Sequence, residues 1–77
     1  MKEYKLNLNS IDRVKGFTSV ISNFDGYFDL VSGRYVVDAK SIMGIFSMDL
    51  SQDVELRILE TNDKISEIEA VIAPYLA

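Results

Sequence analysis

The stretch Ala39-Lys40-Ser41-Ile42-Met43-Gly44-Ile45-Phe46-Ser47-Met48-Asp49-Leu50 decides how this chain is read. Ser41 is a preferred helix N-cap, because a serine hydroxyl can accept from a free backbone N–H two or three residues further on. Behind it comes an apolar segment, Ile42 to Met48, too short for a full-length helix, and then a turn from Asp49 to Asp53. At about 100° per residue, Ile42, Met43 and Phe46 fall at about 0°, 100° and 40°, and Ile45 and Met48 at about 300° and 240°. One arc is expected to face the sheet and the other to look outward. Apolar side chains gathered on an outward arc read as a docking patch, the other reading being burial under a loop or an oligomer contact.

Upstream, Tyr27 to Val31 and Arg34 to Ala39 are aromatic and β-branched runs around Ser32-Gly33, which predicts a β-hairpin. Further back, Glu3 to Leu8 alternates, with Tyr4, Leu6 and Leu8 on one face of a half-buried strand. Asn9-Ser10 then offers a cap, and from Ile11 the period becomes helical through Val14, Phe17 or Thr18, Ile21 and Phe24 until Asn23 to Gly26 ends the run. Gly16 weakens that helix by about 0.5–1 kcal/mol relative to Ala, so close packing or a functional approach is expected there. Downstream, Val54 to Leu59 alternates as a fourth strand. Thr61 or Asn62 is the expected cap of a last helix carrying Ile65, Ile68, Val71, Ile72 and Tyr75 on one stripe, with Pro74 near its end.

The order is β-α-β-β-α-β-α, one domain over residues 1–77. The fold class is α+β: a two-layer open-faced sandwich whose four-stranded sheet is covered by helices on one face. Ile11, Phe17, Ile21, Val36, Leu56, Ile58, Ile68 and Ile72 are the expected core.

Composition narrows the function. Net charge is −4 with no basic run, so direct nucleic-acid binding and anionic membranes are poor fits. There is no apolar h-region at the start and no stretch near the roughly 18 residues of a membrane span, so a cytoplasmic location is expected, in keeping with the absence of cysteine. The chain has no histidine, which removes imidazole acid/base catalysis, the usual nucleophilic triads and imidazole metal ligation together. No enzyme activity, cofactor or metal is expected. Asp49-x-Ser51-x-Asp53 has the spacing of a calcium loop's opening, but Val54 stands where glycine is needed and no glutamate closes the loop, so a turn is the better reading. Glu60, Asp63, Glu67 and Glu69 read as a solvated face, and Asp12 as a helix-start acid favoured by the dipole.

Lys40, Ser41, Ile42, Met43, Gly44, Ser47 and Leu50 match the run that opens the short second helix of the HPr family, the phosphocarrier proteins of the sugar phosphotransferase system. The element order and length match as well, so the chain resembles that family over its whole extent. The resemblance implies phosphorylation of Ser41 by an HPr kinase/phosphorylase and binding of the phosphorylated form to a catabolite control transcription regulator. Lys40, Ile42, Met43 and Phe46 would be the docking surface, and Arg13 a contact from the neighbouring helix start. The family's carrier run, Gly-Ile/Leu-His-x-Arg-Pro, is replaced here by Asn9-Ser10-Ile11-Asp12-Arg13-Val14. Asp12 falls at or near the place of the missing carrier histidine, so the chain is similar to the family's histidine-lacking, Crh-like members. An HPr-fold module for ligand sensing or assembly that has lost both phosphorylation functions, compatible with a homodimer, is the alternative.

Overall fold

The computed structural model describes residues 2–77. The chain runs β1 (Lys2–Leu6), α1 (Ile11–Ile21), β2 (Gly26–Ser32), β3 (Tyr35–Asp38), α2 (Ile42–Phe46), β4 (Val54–Thr61) and α3 (Ile65–Ile72), closing on a 3₁₀ turn at Ala73–Tyr75. The strands form one antiparallel sheet in the order β1-β4-β2-β3. Consecutive elements therefore pair only at the β2–β3 hairpin, and the last strand inserts between the first two.

Alternation makes the two faces. Phe28 and Leu30 of β2 and Val54, Leu56 and Ile58 of β4 point to the helices and are buried. Leu30 sits opposite Leu56, and Phe28 opposite Ile58. Val14, Phe17 and Ile21 of α1 and Ile68 and Ile72 of α3 close over them without measurable exposure. The other face is a charged and polar surface with rows Glu3–Arg57–Asp29–Asp38 and Lys5–Glu55–Val31–Val36 running across it. The Arg57 guanidinium donates to Glu55 at 2.7 Å and, aided by that bond, holds its carboxyl below the usual carboxylate range.

Local devices set the element boundaries. Ser10 caps α1, its Oγ accepting from the Arg13 N–H at 3.1 Å. Gly33 takes φ +59° at the first central position of the hairpin turn, where glycine carries no steric penalty. Gly26 has φ +136°, and a Cβ there would run into the Glu60 carbonyl oxygen. The β2–β4 register then slips between Tyr27 and Phe28: Tyr27 faces Glu60 but Phe28 faces Ile58, so Leu59 is left without a partner and is exposed.

Two expected core residues are on the surface. Ile11 is 62 % exposed and Val36 57 %. Ile11 opens α1, about 90° from the centre of the arc defined by Val14, Phe17 and Ile21, and its Cβ leans towards the helix N-terminus. Val36 is opposite Val31 on the outer face, because the hairpin register Ser32↔Tyr35 turns Val37, opposite Leu30, to the inside. The expected cap of the last helix is also displaced. β4 runs through Thr61, and Lys64 is the N-cap of α3, with no side-chain hydrogen bond. The Thr61 hydroxyl instead donates to the Asp25 carbonyl at 2.7 Å and accepts from the Asp63 N–H, while Asp63 accepts from the Asp25 N–H. That network ties the two loops together. The first strand ends at Leu6 and not Leu8, although Leu8 is buried in the core.

Candidate functional site

Ser41 joins β3 to α2. Its backbone is extended, at φ −94° and ψ 101°, and its Oγ accepts from the Gly44 N–H at 3.1 Å while its carbonyl accepts from the Ile45 N–H at 3.0 Å. The hydroxyl is therefore aimed along the first turn of α2, and Ser41 is half-buried. The Ser41 N–H donates to the Asp38 carbonyl at 2.9 Å, and the Lys40 N–H donates to Asp38 Oδ1 at 2.9 Å, so the strand end is locked before the helix begins.

α2 divides along the two arcs read from its periodicity. Ile45 and Met48 are buried, whereas Met43 is 79 % exposed, Phe46 42 % and Ile42 36 %. These apolar side chains flank Ser41 on the chain and lie open on its helix. Ser47 turns its hydroxyl back to the Gly44 carbonyl.

The two cations read as neighbours of Ser41 have other partners. The Lys40 ammonium donates to the Phe24 carbonyl and lies 5.3 Å from the centroid of the Phe28 ring. Arg13 donates through Nε to the Asn7 carbonyl at 2.7 Å and through Nη2 to the Pro74 carbonyl at 3.0 Å, with its guanidinium 5.5 Å from the Tyr75 ring centroid. On α1 Arg13 falls about 160° from Lys15 and further still from Ser22. Lys15, Thr18, Ser19 and Ser22 are the residues that line a shallow hollow with Lys40 and Ile42. Arg13 thus straps the start of α1 to the C-terminal turn, on the side of the helix away from that hollow. Asp12 is exposed in the first turn of α1.

The hollow is the part of the surface that sequence reading missed. Its signal was present as a polar row at Lys15, Thr18, Ser19 and Ser22, spaced at three and four residues. Nothing in that row says that Lys40 and Ile42 close the other side. In the Asp49–Asp53 turn, Ser51 donates both its N–H and its hydroxyl to Asp49 Oδ1, at 3.0 and 2.6 Å, which holds the Asp49 carboxyl below its ordinary value. Among the described residues no group of acidic side chains is placed to hold a metal ion.

A four-stranded antiparallel sheet in this order, covered on one face by three helices, defines an HPr-fold protein, and the comparison of structures agrees. The chain is similar to the crystal structure of HPr-C-His from Thermoanaerobacter tengcongensis, at 28 % identity and a TM-score of 0.80 over 97 % of this chain and 91 % of that one. No protein-family model matches the sequence, and no curated protein matches it. The likeness supports the HPr family, and with it a protein of phosphocarrier type in its fold. None of the helices among the described residues is long and apolar enough to cross a membrane.

Proposed function

We propose that this chain is a non-catalytic, Crh-like regulatory protein of HPr type, controlled by phosphorylation of Ser41. The observation that carries the reading is the geometry around that hydroxyl: Ser41 Oγ faces the Gly44 N–H at the head of α2, beside the exposed side chains of Ile42, Met43 and Phe46. A phosphate on that oxygen would meet the backbone donors at the head of α2, and the apolar side chains give a kinase something to grip. The absence of histidine anywhere in the sequence takes the phosphohistidine step away and leaves the serine as the residue to regulate. In this reading the modifying enzyme is an HPr kinase/phosphorylase and the phosphorylated form engages a catabolite control transcription regulator in the cytoplasm.

The test is incubation of the purified chain with an HPr kinase/phosphorylase and ATP, followed by mapping of the phosphate by mass spectrometry. Stoichiometric phosphate on Ser41 is expected. Modification at Ser47 or Ser51, or undiminished modification of Ser41→Ala, would leave the HPr-fold sensing or assembly module as the better account.

A further inference from the structure

The sheet has two edges, and among the described residues only the end of β1 has backbone partners on its outer side. Along β1 the C-terminal residues lie across the strand end: the Ala77 N–H donates to the Lys5 carbonyl at 2.9 Å, the Asn7 N–H donates to the Tyr75 carbonyl at 2.8 Å, and Leu6 bridges Leu76. β3, at the other edge, has no strand beyond it among the described residues. An uncovered edge presents a row of backbone donors and acceptors, which proteins usually blunt with proline, lysine or a bulge. β3 has no proline, lysine or bulge in Tyr35-Val36-Val37-Asp38, and only its shortness and the charge of Asp38 restrain pairing there.

The edge is self-complementary. In the two-residue hairpin with register Ser32↔Tyr35, the groups of Tyr35 and Val37 turn towards β2, and the Ala39 N–H continues that phase by donating to the Phe28 carbonyl at 2.8 Å. The intervening N–H and carbonyl of Val36 therefore point outward, as does the Asp38 N–H, while the Asp38 carbonyl accepts from the Ser41 N–H. If a second copy lies antiparallel with Val36 opposite Val36, the outward phase matches: each Val36 gives its N–H to the other's carbonyl. The same register sets Arg34 opposite Asp38 at both ends, on the outer face of the sheet, and Tyr35 opposite Val37 on the inner one.

An independent observation points the same way. Within one chain Asp38 lies directly opposite Asp29, a like-charged cross-strand pair of the kind that destabilises a sheet. Asp29 has Arg57 on its other side, in the β2–β4 register. Asp38 has no such cation: among the described residues the one ion pair is Arg57–Glu55. Arg34 of a second copy would supply it.

We propose that β3 is a self-pairing edge through which two copies of this chain join their sheets in an antiparallel, two-fold dimer centred on Val36. The proposal does not depend on phosphorylation of Ser41. Sedimentation equilibrium of the full chain, from micromolar to millimolar concentration, should show reversible dimerisation that weakens as salt is added. Val36→Pro removes the outward N–H at an edge position where proline is tolerated, so it should keep the far-ultraviolet spectrum and melting temperature while weakening the dimer at least about tenfold.

Arg34→Asp and Asp38→Lys each place like charges across the interface and should each weaken self-association by about tenfold. Mixed in equal amounts, these variants should associate with each other as tightly as the unmodified chain does, because each supplies what the other lacks. A chain that stays monomeric at millimolar concentration overturns the proposal. So does a dimer indifferent to Val36→Pro and Arg34→Asp, or a mixture no tighter than its separate variants.

Discussion

The hydroxyl of Tyr75 lies against Gly16 in the space that any Cβ at that position would occupy. Tyr75 also meets the edge of Phe17, ring centroids 6.0 Å apart at 79°, and carries the Arg13 guanidinium on its face. The glycine in the middle of α1 is thus the seat of the C-terminal turn. Gly16→Ala should cost about 1–2 kcal/mol in urea unfolding, overpacking outweighing the gain in helix propensity. In a Tyr75→Ala background the same change should instead stabilise by about 0.5–1 kcal/mol, since only the propensity remains. Loss of stability in both backgrounds would show that something other than Tyr75 excludes a side chain at Gly16.

Two apolar pairs of similar chemistry should behave oppositely. Leu56 and Ile68 are fully buried, so Leu56→Ala and Ile68→Ala should each cost about 2–5 kcal/mol, a large share of the stability of a domain this small. Ile11→Ala and Val36→Ala act on exposed side chains and should stay within about 0.5 kcal/mol. Chemical denaturation at a concentration where the chain is monomeric separates the two classes.

Ser41→Ala should abolish kinase-dependent phosphorylation and cost about 0.5–2 kcal/mol through the lost cap to Gly44. Ser41→Asp should fold normally yet imitate the phosphorylated form only in part, because a carboxylate lacks the third acceptor oxygen and the second charge. Met43→Asp should slow modification while leaving the melting temperature unchanged, since that side chain is the most exposed of the α2 cluster. Phosphate incorporation and thermal unfolding, read on the same samples, check the three together.

The chain should accept no phosphoryl group from phosphoenolpyruvate and the first enzyme of the phosphotransferase system, because it has no histidine to receive one. Radiolabelled transfer with and without acid treatment is the measurement, and an acid-labile product would contradict the reading.

Tyr4 donates to the Glu69 carboxylate at 2.9 Å, and burial, that bond and the negative charge together push its pKa from 10.0 up to about 12. The folded state favours the protonated phenol, so its contribution is complete below the unfolded value and is lost as pH rises through about 12. Difference titration of the phenolate absorbance between the unmodified chain and Tyr4→Phe should isolate a midpoint near that value. Removing the carboxylate with Glu69→Gln should move the midpoint down.

Legibility in the sequence followed the range of the interactions involved. The strands and helices came from periodicity and the turns from glycine and serine, all of which act within a few residues. The grouping of Ile45 with Met48, just beyond α2, and of Ile42 with Met43 and Phe46 followed from helical angle, whereas which group faced outward came from the resemblance and not from the angle. Val36 and Val37 show the limit. Adjacent valines carry no phase of their own, and only the pairing of Ser32 with Tyr35 decided which faced inward. Ile11 failed for a related reason, since it stands about 90° from the centre of the buried arc, where periodicity alone does not say whether the first turn is covered.

By itself the sequence determined the element order, the α+β class, the absence of imidazole chemistry and the serine at the head of the short helix. Each of these depends on residue identity and on spacings that the local backbone geometry makes meaningful. Only the tertiary structure decided where the long cations go. Lys40 and Arg13 each have reach enough for several partners, and it is the packing of α1 against the sheet and the C-terminal turn that presents the carbonyls of Phe24, Asn7 and Pro74 to them. A flexible side chain takes the acceptor that folding brings within its radius, and sequence distance, here 61 residues between Arg13 and Pro74, has no say in which acceptor that is.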